Sequence, residues 1–195
     1  MFEAPSEAAW GNPFKEEYIS KIAEQGFKHI RMPIRWDVAE RTQLTAPYTV
    51  NPSFLARVKS VVDLAISKNM YVIINMHHHD EIFVNPDAVK PRFLSQWTQI
   101  ATYFKGYDNH LLFEVLNEPH DALTPALWNG YFAEALAEIM SRYDLTTFET
   151  NRIEKQNWNE VWESNYDPIR IEDLVLIRAS FHPSEPGFQM EVVIN

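Results

Sequence analysis

Three apolar segments of this chain each run directly into a group of polar residues, and helical segments separate them. Strands are predicted from about Phe27 to Ile34, from Tyr71 to about Met76, and from Leu111 onwards. Each strand is apolar along its length, which is typical of strands that are buried on both faces of a parallel sheet. Because helices alternate with these strands, we predict an α/β fold of the (β/α)8 TIM-barrel type.

Proline residues mark where the intervening helices are expected to begin, because proline is favoured at the first helical position. The four predicted helix starts are Asn12-Pro13, Asn51-Pro52, Pro91 and Thr124-Pro125. The corresponding predicted ends lie near Gly26, Asn69, Phe104 and Arg142. The last quarter of the chain has a different character, with charges and few apolar repeats between 145 and 173. Order returns in a predicted strand from about Leu174 to Phe181 and in a final apolar segment.

Composition and charge limit the kinds of partner. Hydrophobic residues make up 46% of the chain, which indicates a packed core. The formal net charge is −10 and no run of Lys or Arg occurs, so we expect neither nucleic acid nor a membrane as partner. A neutral substrate such as a polysaccharide fits this balance. The absence of cysteine excludes disulfides and thiolate metal ligands.

The polar residues gather at or near the carboxyl ends of the predicted strands, which is the face that holds the active site in a (β/α)8 barrel. Glu118 stands between Asn117 and Pro119 at the mouth of an apolar strand. A carboxyl group there is expected to be partly desolvated, which raises its pKa towards the range that a general acid needs. Arg31 interrupts another apolar strand, and an arginine in that position is costly unless it meets an acid.

The histidine cluster after the second strand has two interpretations. His77, His78 and His79 precede Asp80 and Glu81, and imidazole and carboxylate groups are common zinc ligands. However, adjacent residues of a strand point to opposite faces, so His77 and His78 cannot easily share one ion if the strand continues. We therefore predict no metal and no cofactor, and we keep zinc as the alternative.

Taken together, the ordered motifs resemble those of glycoside hydrolase family 5, the retaining endoglucanases with a (β/α)8 barrel. The segments that carry the resemblance are FEAP, GFKHIRMPIRW, INMHHHDE and LLFEVLNEPH. It is close over 1–142 and patchy over 143–195, and we treat 1–195 as one catalytic-type domain. The resemblance implies cleavage of internal β-1,4-glucosidic bonds in cellulose or a related β-glucan. It also implies a secreted protein, although no signal peptide is found in MFEAPSEAAW.

The same resemblance implies roles for single residues. Glu118 is the acid/base, Asn117 binds the 2-hydroxyl group of the sugar, and Arg31 orients the nucleophilic carboxylate. For Arg31 a purely structural ion pair is the alternative. The other substrate-binding residues that the resemblance implies are Glu3, His77, His78 and His182.

Some parts of the family pattern have no counterpart in the sequence. Retaining hydrolysis needs two carboxyl groups about 5–5.5 Å apart, and the family's nucleophile is a glutamate at the end of the seventh strand. Glu185 and Glu191 are the late glutamates near a strand, and neither stands in a matching motif. We expect roughly five of the usual eight strands, without the first.

Two further functions therefore stay open. One is a catalytically inactive remnant that binds glucan without cleaving it. The other is an esterase that uses Ser180 or Ser184 with His182, although the G-x-S-x-G turn of such enzymes is missing.

The expected open barrel predicts self-association, because uncovered strand edges and apolar sheet faces pair readily with a second chain. We predict a homo-oligomer whose interface lies along the strands at about 27–34 and 174–181. Size-exclusion chromatography with light scattering measures the mass in solution, and a monodisperse monomer would contradict this prediction.

Overall fold

The computed structural model describes residues 2–147, 149, 151 and 167–194. These residues fall into two compact units, 1–148 and 149–195. The assignment of 1–195 to a single domain stays a prediction. Within the part of the chain that the structure describes, no helix is both long and apolar enough to cross a membrane.

The first unit alternates strands and helices. Its elements are α1 (Glu16–Glu24), β1 (His29–Met32), α2 (Pro52–Ser67), β2 (Tyr71–Asn75), a short 3₁₀ helix (Asp80–Phe83), α3 (Pro86–Tyr103), β3 (Leu111–Glu114) and α4 (Pro125–Arg142). The three strands form one parallel sheet in the order β1-β2-β3. The predicted parallel sheet of apolar strands with intervening helices is therefore confirmed, and it is the barrel-type arrangement expected of the first four units.

Two of the predicted helix starts are confirmed by their capping groups. Asn51 stands one residue before α2, and its side chain accepts a hydrogen bond from the Ser53 N–H at 2.9 Å. The Thr124 hydroxyl accepts from the Leu127 N–H at 3.4 Å at the start of α4. In both cases the cap satisfies an N–H that has no partner within the helix.

The other two predicted starts are wrong, and packing explains both. α1 begins at Glu16 rather than after Asn12, because the preceding segment is extended and buries Phe14 against the ring of Phe2. α3 begins at Pro86, and Pro91 lies inside it. Val89 and Phe93 are both buried, so the turns on either side of Pro91 are held against the core.

Two buried tryptophans hydrogen-bond to the backbone at the carboxyl ends of β2 and β3. Trp36 and Trp97 are fully buried. The Trp36 indole N–H donates to the carbonyl oxygen of Asn75 at 2.9 Å, and the Trp97 indole N–H donates to that of Val115 at 3.0 Å. Because an indole N–H in a core needs an acceptor, each ring binds the backbone at the point where a strand ends.

The second unit is a separate sheet of mixed direction. It contains β4 (Ile169–Ile171), β5 (Val175–Ala179) and β6 (Met190–Ile194), with β4 antiparallel and β6 parallel to β5. β4 was not predicted from the sequence, because it is only three residues long and all three are exposed. β5 has a neighbour on each side, so the open strand edge expected at 174–181 is not present, and an interface in this region stays a prediction. β1 is an edge strand of the first sheet, and self-association through it stays a prediction.

His79 belongs to the core of the first unit and not to the polar group of residues at the carboxyl ends of its strands. Its side chain is fully buried, and its Nε2 atom lies 3.2 Å from the side-chain oxygen of Gln96. Burial disfavours the imidazolium form and lowers the pKa of His79 from 6.5 to about 4.

This burial predicts a loss of stability in mild acid. Between the two pKa values the unfolded chain binds a proton at His79 and the folded chain does not, so stability falls as the pH drops from about 6.5 to 4. The contribution is of order 3 kcal/mol at most. Urea unfolding across this pH range should show a shallower pH dependence in His79→Gln than in the wild type. His29→Gln, which removes an exposed histidine, is the matched control.

Candidate active site

The backbone keeps the three strands aligned beyond their ends. The His77 N–H donates to the carbonyl oxygen of Ile34 at 2.8 Å, and the Asn117 N–H donates to that of Met76 at 3.0 Å. The segments that follow β1, β2 and β3 therefore remain side by side. As a result the structure brings the second-strand histidines next to the Asn117-Glu118 segment, at the carboxyl edge of the sheet.

Arg31 on β1 meets an acid, and that acid is Glu114 on β3. The Arg31 Nε atom donates to Glu114 Oε2 at 2.6 Å and Nη2 donates to Oε1 at 2.5 Å. Nη2 also donates to the side-chain oxygen of Asn117 at 2.7 Å. These hydrogen bonds from Arg31 hold the pKa of Glu114 below its usual value and raise that of Arg31 itself.

Glu114 was not predicted as a site residue, although the sequence contains a signal for it. Arg31 and Glu114 each interrupt an apolar strand. In the observed register Arg31 lies opposite Ile73 and Asn75 lies opposite Glu114, so the arginine and the glutamate share the parity of one sheet face. Two opposite charges on one face of the same apolar sheet, on the strands either side of β2, are a recognisable pattern, but recognising it requires the register to be known.

Glu3 is held above this edge by the backbone of its neighbour. The carbonyl oxygen of Phe2 accepts from the Arg35 N–H at 3.0 Å and from the Arg41 guanidinium at 2.5 Å. Phe2 and Ala4 are buried on either side of Glu3. Arg41 therefore anchors the segment, and the Glu3 carboxylate is directed to the histidines.

His77 and His78 both reach Glu3. Their Nε2 atoms lie 3.4 Å and 3.3 Å from Glu3 Oε1, and the two rings are nearly perpendicular with centroids 4.8 Å apart. Burial lowers the pKa of His77, and this effect outweighs the attraction of Glu3. The argument that the two histidines face opposite sides depended on the strand continuing. It does not apply, because β2 ends at Asn75 and both histidines lie beyond it.

The five-residue zinc cluster considered from the sequence is not present as such. Asp80 pairs with Arg35 at 2.6 Å, Glu81 pairs with Arg92 at 2.7 Å, and His79 is in the core. Within the described residues, the group whose ligand atoms lie close enough for one ion, within 4.8 Å of each other, is Glu3, His77 and His78.

Glu118 lies next to these groups, on the loop after β3. The negative charges of Glu118 and Glu3 both lie close enough to Arg31 to raise its pKa. The side chain of Glu118 is exposed, so the expected partial desolvation of this carboxyl is wrong. Its backbone has φ of +45°, a conformation that glutamate rarely adopts and that is typical of strained functional loops.

The structure places His182 in the second unit, where its ring has a local partner. Nδ1 accepts from the backbone N–H of Ala179 at 3.2 Å, and Arg178 donates to the His182 carbonyl oxygen at 2.8 Å. Glu185 is bound by Arg170 through both carboxylate oxygens, with Nε to Oε2 at 2.8 Å. Glu191 accepts from Arg178 at 2.5 Å.

A parallel βα sheet with arginine, histidine and an Asn-Glu pair at its carboxyl edge defines the class of protein, the (β/α)8-barrel enzymes with their active site on that face. The chain belongs to glycoside hydrolase family 5. Residues 2–174 match the family described as Cellulase (glycosyl hydrolase family 5).

Similar proteins agree with this assignment. The chain is 37% identical over 155 residues to the cellulase/esterase CelE of Acetivibrio thermocellus. The matched region covers 77% of this chain and 19% of that protein. It is 37% identical over 151 residues to endoglucanase A of Clostridium longisporum, and this match covers 75% of this chain and 28% of that protein. A structure of Thermotoga maritima Cel5A with cellobiose has a TM-score of 0.70 and 42% identity, covering 72% of this chain and 45% of that one. The chain thus spans less than half the length of these relatives.

The Arg31–Glu114 pair has an internal control elsewhere in the first unit. Arg57 binds Glu7 in the same two-pronged way, at 3.1 and 2.7 Å. The side chains of the two pairs are equally exposed, 37% and 33% for Arg31 and Glu114 against 34% and 31% for Arg57 and Glu7.

We therefore expect Glu114→Gln and Glu7→Gln to lower the free energy of unfolding by similar amounts, roughly 1 kcal/mol each, because solvent screens both pairs. Only Glu114→Gln should release Asn117 through Arg31, which is measurable as a shift of the Asn117 side-chain amide signal in NMR spectra. An equal shift in Glu7→Gln would contradict the assigned connection.

Proposed function

We propose that this chain cleaves internal β-1,4-glucosidic bonds of cellulose or a related β-glucan by a retaining mechanism. Glu118 donates a proton to the departing glycosidic oxygen, and a second carboxylate attacks the anomeric carbon to form the glycosyl–enzyme bond that water then hydrolyses. The observation that supports it most is the connection of the Asn117-Glu118 loop to Arg31, beside the Glu3, His77 and His78 group. Similarity to proteins named as endoglucanases, one of them seen with cellobiose, supports the substrate class. Secretion follows from the same family resemblance and is part of this proposal.

The geometry suggests how each group would act on a sugar. Asn117 accepts from Arg31 through its side-chain oxygen, so its NH2 group is directed elsewhere and can donate to the 2-hydroxyl. His77 and His78 offer ring nitrogens and Glu3 offers carboxylate oxygens to neighbouring hydroxyl groups. Glu118 is exposed, which leaves its carboxyl accessible to the departing glycosidic oxygen. A bound glucan chain would cover it and supply the desolvation that the chain alone lacks.

Glu118→Gln is the direct test of the acid/base assignment. The amide cannot deliver a proton, so reducing-sugar release from soluble cellulose should fall by about a hundred-fold or more. Glu24→Gln, an exposed glutamate at the end of α1, is the matched control and should keep full activity. Circular dichroism confirms that both variants are folded, and equal activity in Glu118→Gln would refute the assignment.

A second candidate function is glucan binding without cleavage. The observation that favours it is the pairing of the late glutamates, since Glu185 and Glu191 each accept hydrogen bonds from an arginine of their own unit. Both carboxylates have lowered pKa values through these bonds. Calorimetric binding of cello-oligosaccharides with no new reducing ends would favour this candidate over the enzyme. The esterase alternative has less support, because the Nδ1 atom of His182 accepts a backbone hydrogen bond.

A further inference from the structure

The side chain of Asn75 makes three hydrogen bonds whose directions can be assigned. Asn75 is fully buried at the carboxyl end of β2. Its Oδ1 atom lies 3.1 Å from the backbone N–H of Ile34. Its Nδ2 atom lies 3.2 Å from His77 Nδ1 and 3.3 Å from Glu114 Oε1.

The surroundings leave only one orientation for this amide. A backbone N–H can only donate, so the atom that faces Ile34 must be the oxygen. Glu114 is ionised beside Arg31 and can only accept, so the atom that faces it must be the NH2 group. Both neighbours independently require the same orientation, and the NH2 group therefore also faces His77.

The orientation of Asn75 determines the tautomer of His77. Because Nδ1 accepts from Asn75, a neutral His77 ring carries its proton on Nε2. Burial lowers the pKa of His77, so the neutral ring is the form present near pH 7. The Nε2–H group then faces the Glu3 carboxylate, 3.4 Å away, which is an acceptor.

This tautomer is the wrong one for zinc. A histidine that binds a metal uses a ring-nitrogen lone pair and donates its other N–H to an acceptor such as a carboxylate or carbonyl oxygen. At His77 the nitrogen directed to Glu3 carries the proton, and the other nitrogen faces a donor. The spacing of Glu3, His77 and His78 suits an ion, but the hydrogen bonds behind them do not.

We infer that Asn75 is a positioning residue that fixes the Nε2–H tautomer of His77 and thereby makes the Glu3–His77–His78 group a hydrogen-bonding site for sugar hydroxyls instead of a zinc site. The part of this inference that concerns sugar rests on the function proposed above. The tautomer and the discrimination against zinc do not, and they can be measured without substrate.

The tautomer is tested first in the wild-type chain. Long-range ¹H–¹⁵N correlation spectra at a pH above 6.5 distinguish the two neutral forms of a histidine ring, and His77→Gln assigns the signal. We expect the Nε2–H form. Observation of the Nδ1–H form would overturn the inference whatever the outcome of the activity assays.

The role of Asn75 is tested by Asn75→Asp in the Glu114→Gln background. The new carboxylate oxygen then stands where the NH2 group was, and it meets an amide donor at position 114 instead of a second carboxylate. His77 should protonate Nδ1 and present a lone pair at Nε2. We expect Zn²⁺, titrated by calorimetry, to bind this variant at least tenfold more tightly than Glu114→Gln alone, which is the usual size of an effect from groups behind a metal ligand. Adding His77→Gln should remove this gain.

Asn109→Asp in the same background adds the same charge in an exposed turn and should bind zinc no better than Glu114→Gln alone. Zinc binding by Glu114→Gln alone as tight as by the double variant with Asn75→Asp, with a shift of the His77 Nε2 signal, would overturn the inference. Should that double variant fail to fold, the wild-type spectrum alone decides the tautomer.

Discussion

The ion pair between Arg31 and Glu114 is the interaction on which the rest of the polar edge depends. It spans from β1 to β3 across β2, and each of its partners binds a further side chain. Arg31 Nη2 also donates to Asn117, and Glu114 Oε1 also accepts from Asn75. Because both side chains are about one-third exposed, the pair contributes only modestly to stability. Its larger effect is geometric, since the flat guanidinium fork fixes the carboxylate plane, and through it the two amides on the neighbouring strand ends.

From this pair the direction of successive hydrogen bonds is determined along the edge. The Glu114 carboxylate requires a donor, which orients the amide of Asn75, and that amide in turn makes the Nδ1 atom of His77 an acceptor. The proton on the far side of the ring then faces Glu3. A site of this kind presents fixed donors and acceptors at low cost in reorganisation, which suits a neutral ligand rich in hydroxyl groups better than a cation. The charge that would attract a cation, at Glu3 and Glu118, lies close to the opposite charge of Arg31.

How far the sequence predicts this molecule depends on whether a feature is local. The starts of α2 and α4 follow from a capping residue and a proline that are adjacent in sequence, and both were predicted. The start of α3 depends on the burial of Val89 and Phe93 against distant elements, and it was not predicted.

The candidate site likewise depends on contacts between residues that are far apart in the sequence. Arg31 could be recognised as needing an acid, but Glu114 lies 83 residues away, and the meeting of Glu3 with the histidines depends on β2 ending at Asn75 and on the Arg41 anchor of the N-terminal segment. The mixed direction of the second sheet likewise follows from pairings that the apolar pattern of β5 does not contain.

The two glutamates of the FEVLNEP segment are chemically distinct because of what binds them. Glu114 has both oxygens engaged by Arg31 and one of them also by Asn75. To act on a glycosidic oxygen it would have to break these bonds, and its lowered pKa keeps it ionised, so it cannot serve as a proton donor. Glu118 is exposed on a backbone conformation that glutamate rarely adopts. Four residues apart, one carboxylate is bound by Arg31 and holds the edge together, whereas the other is exposed, and the hydrogen bonds of Arg31 to Glu114 are what distinguish the two.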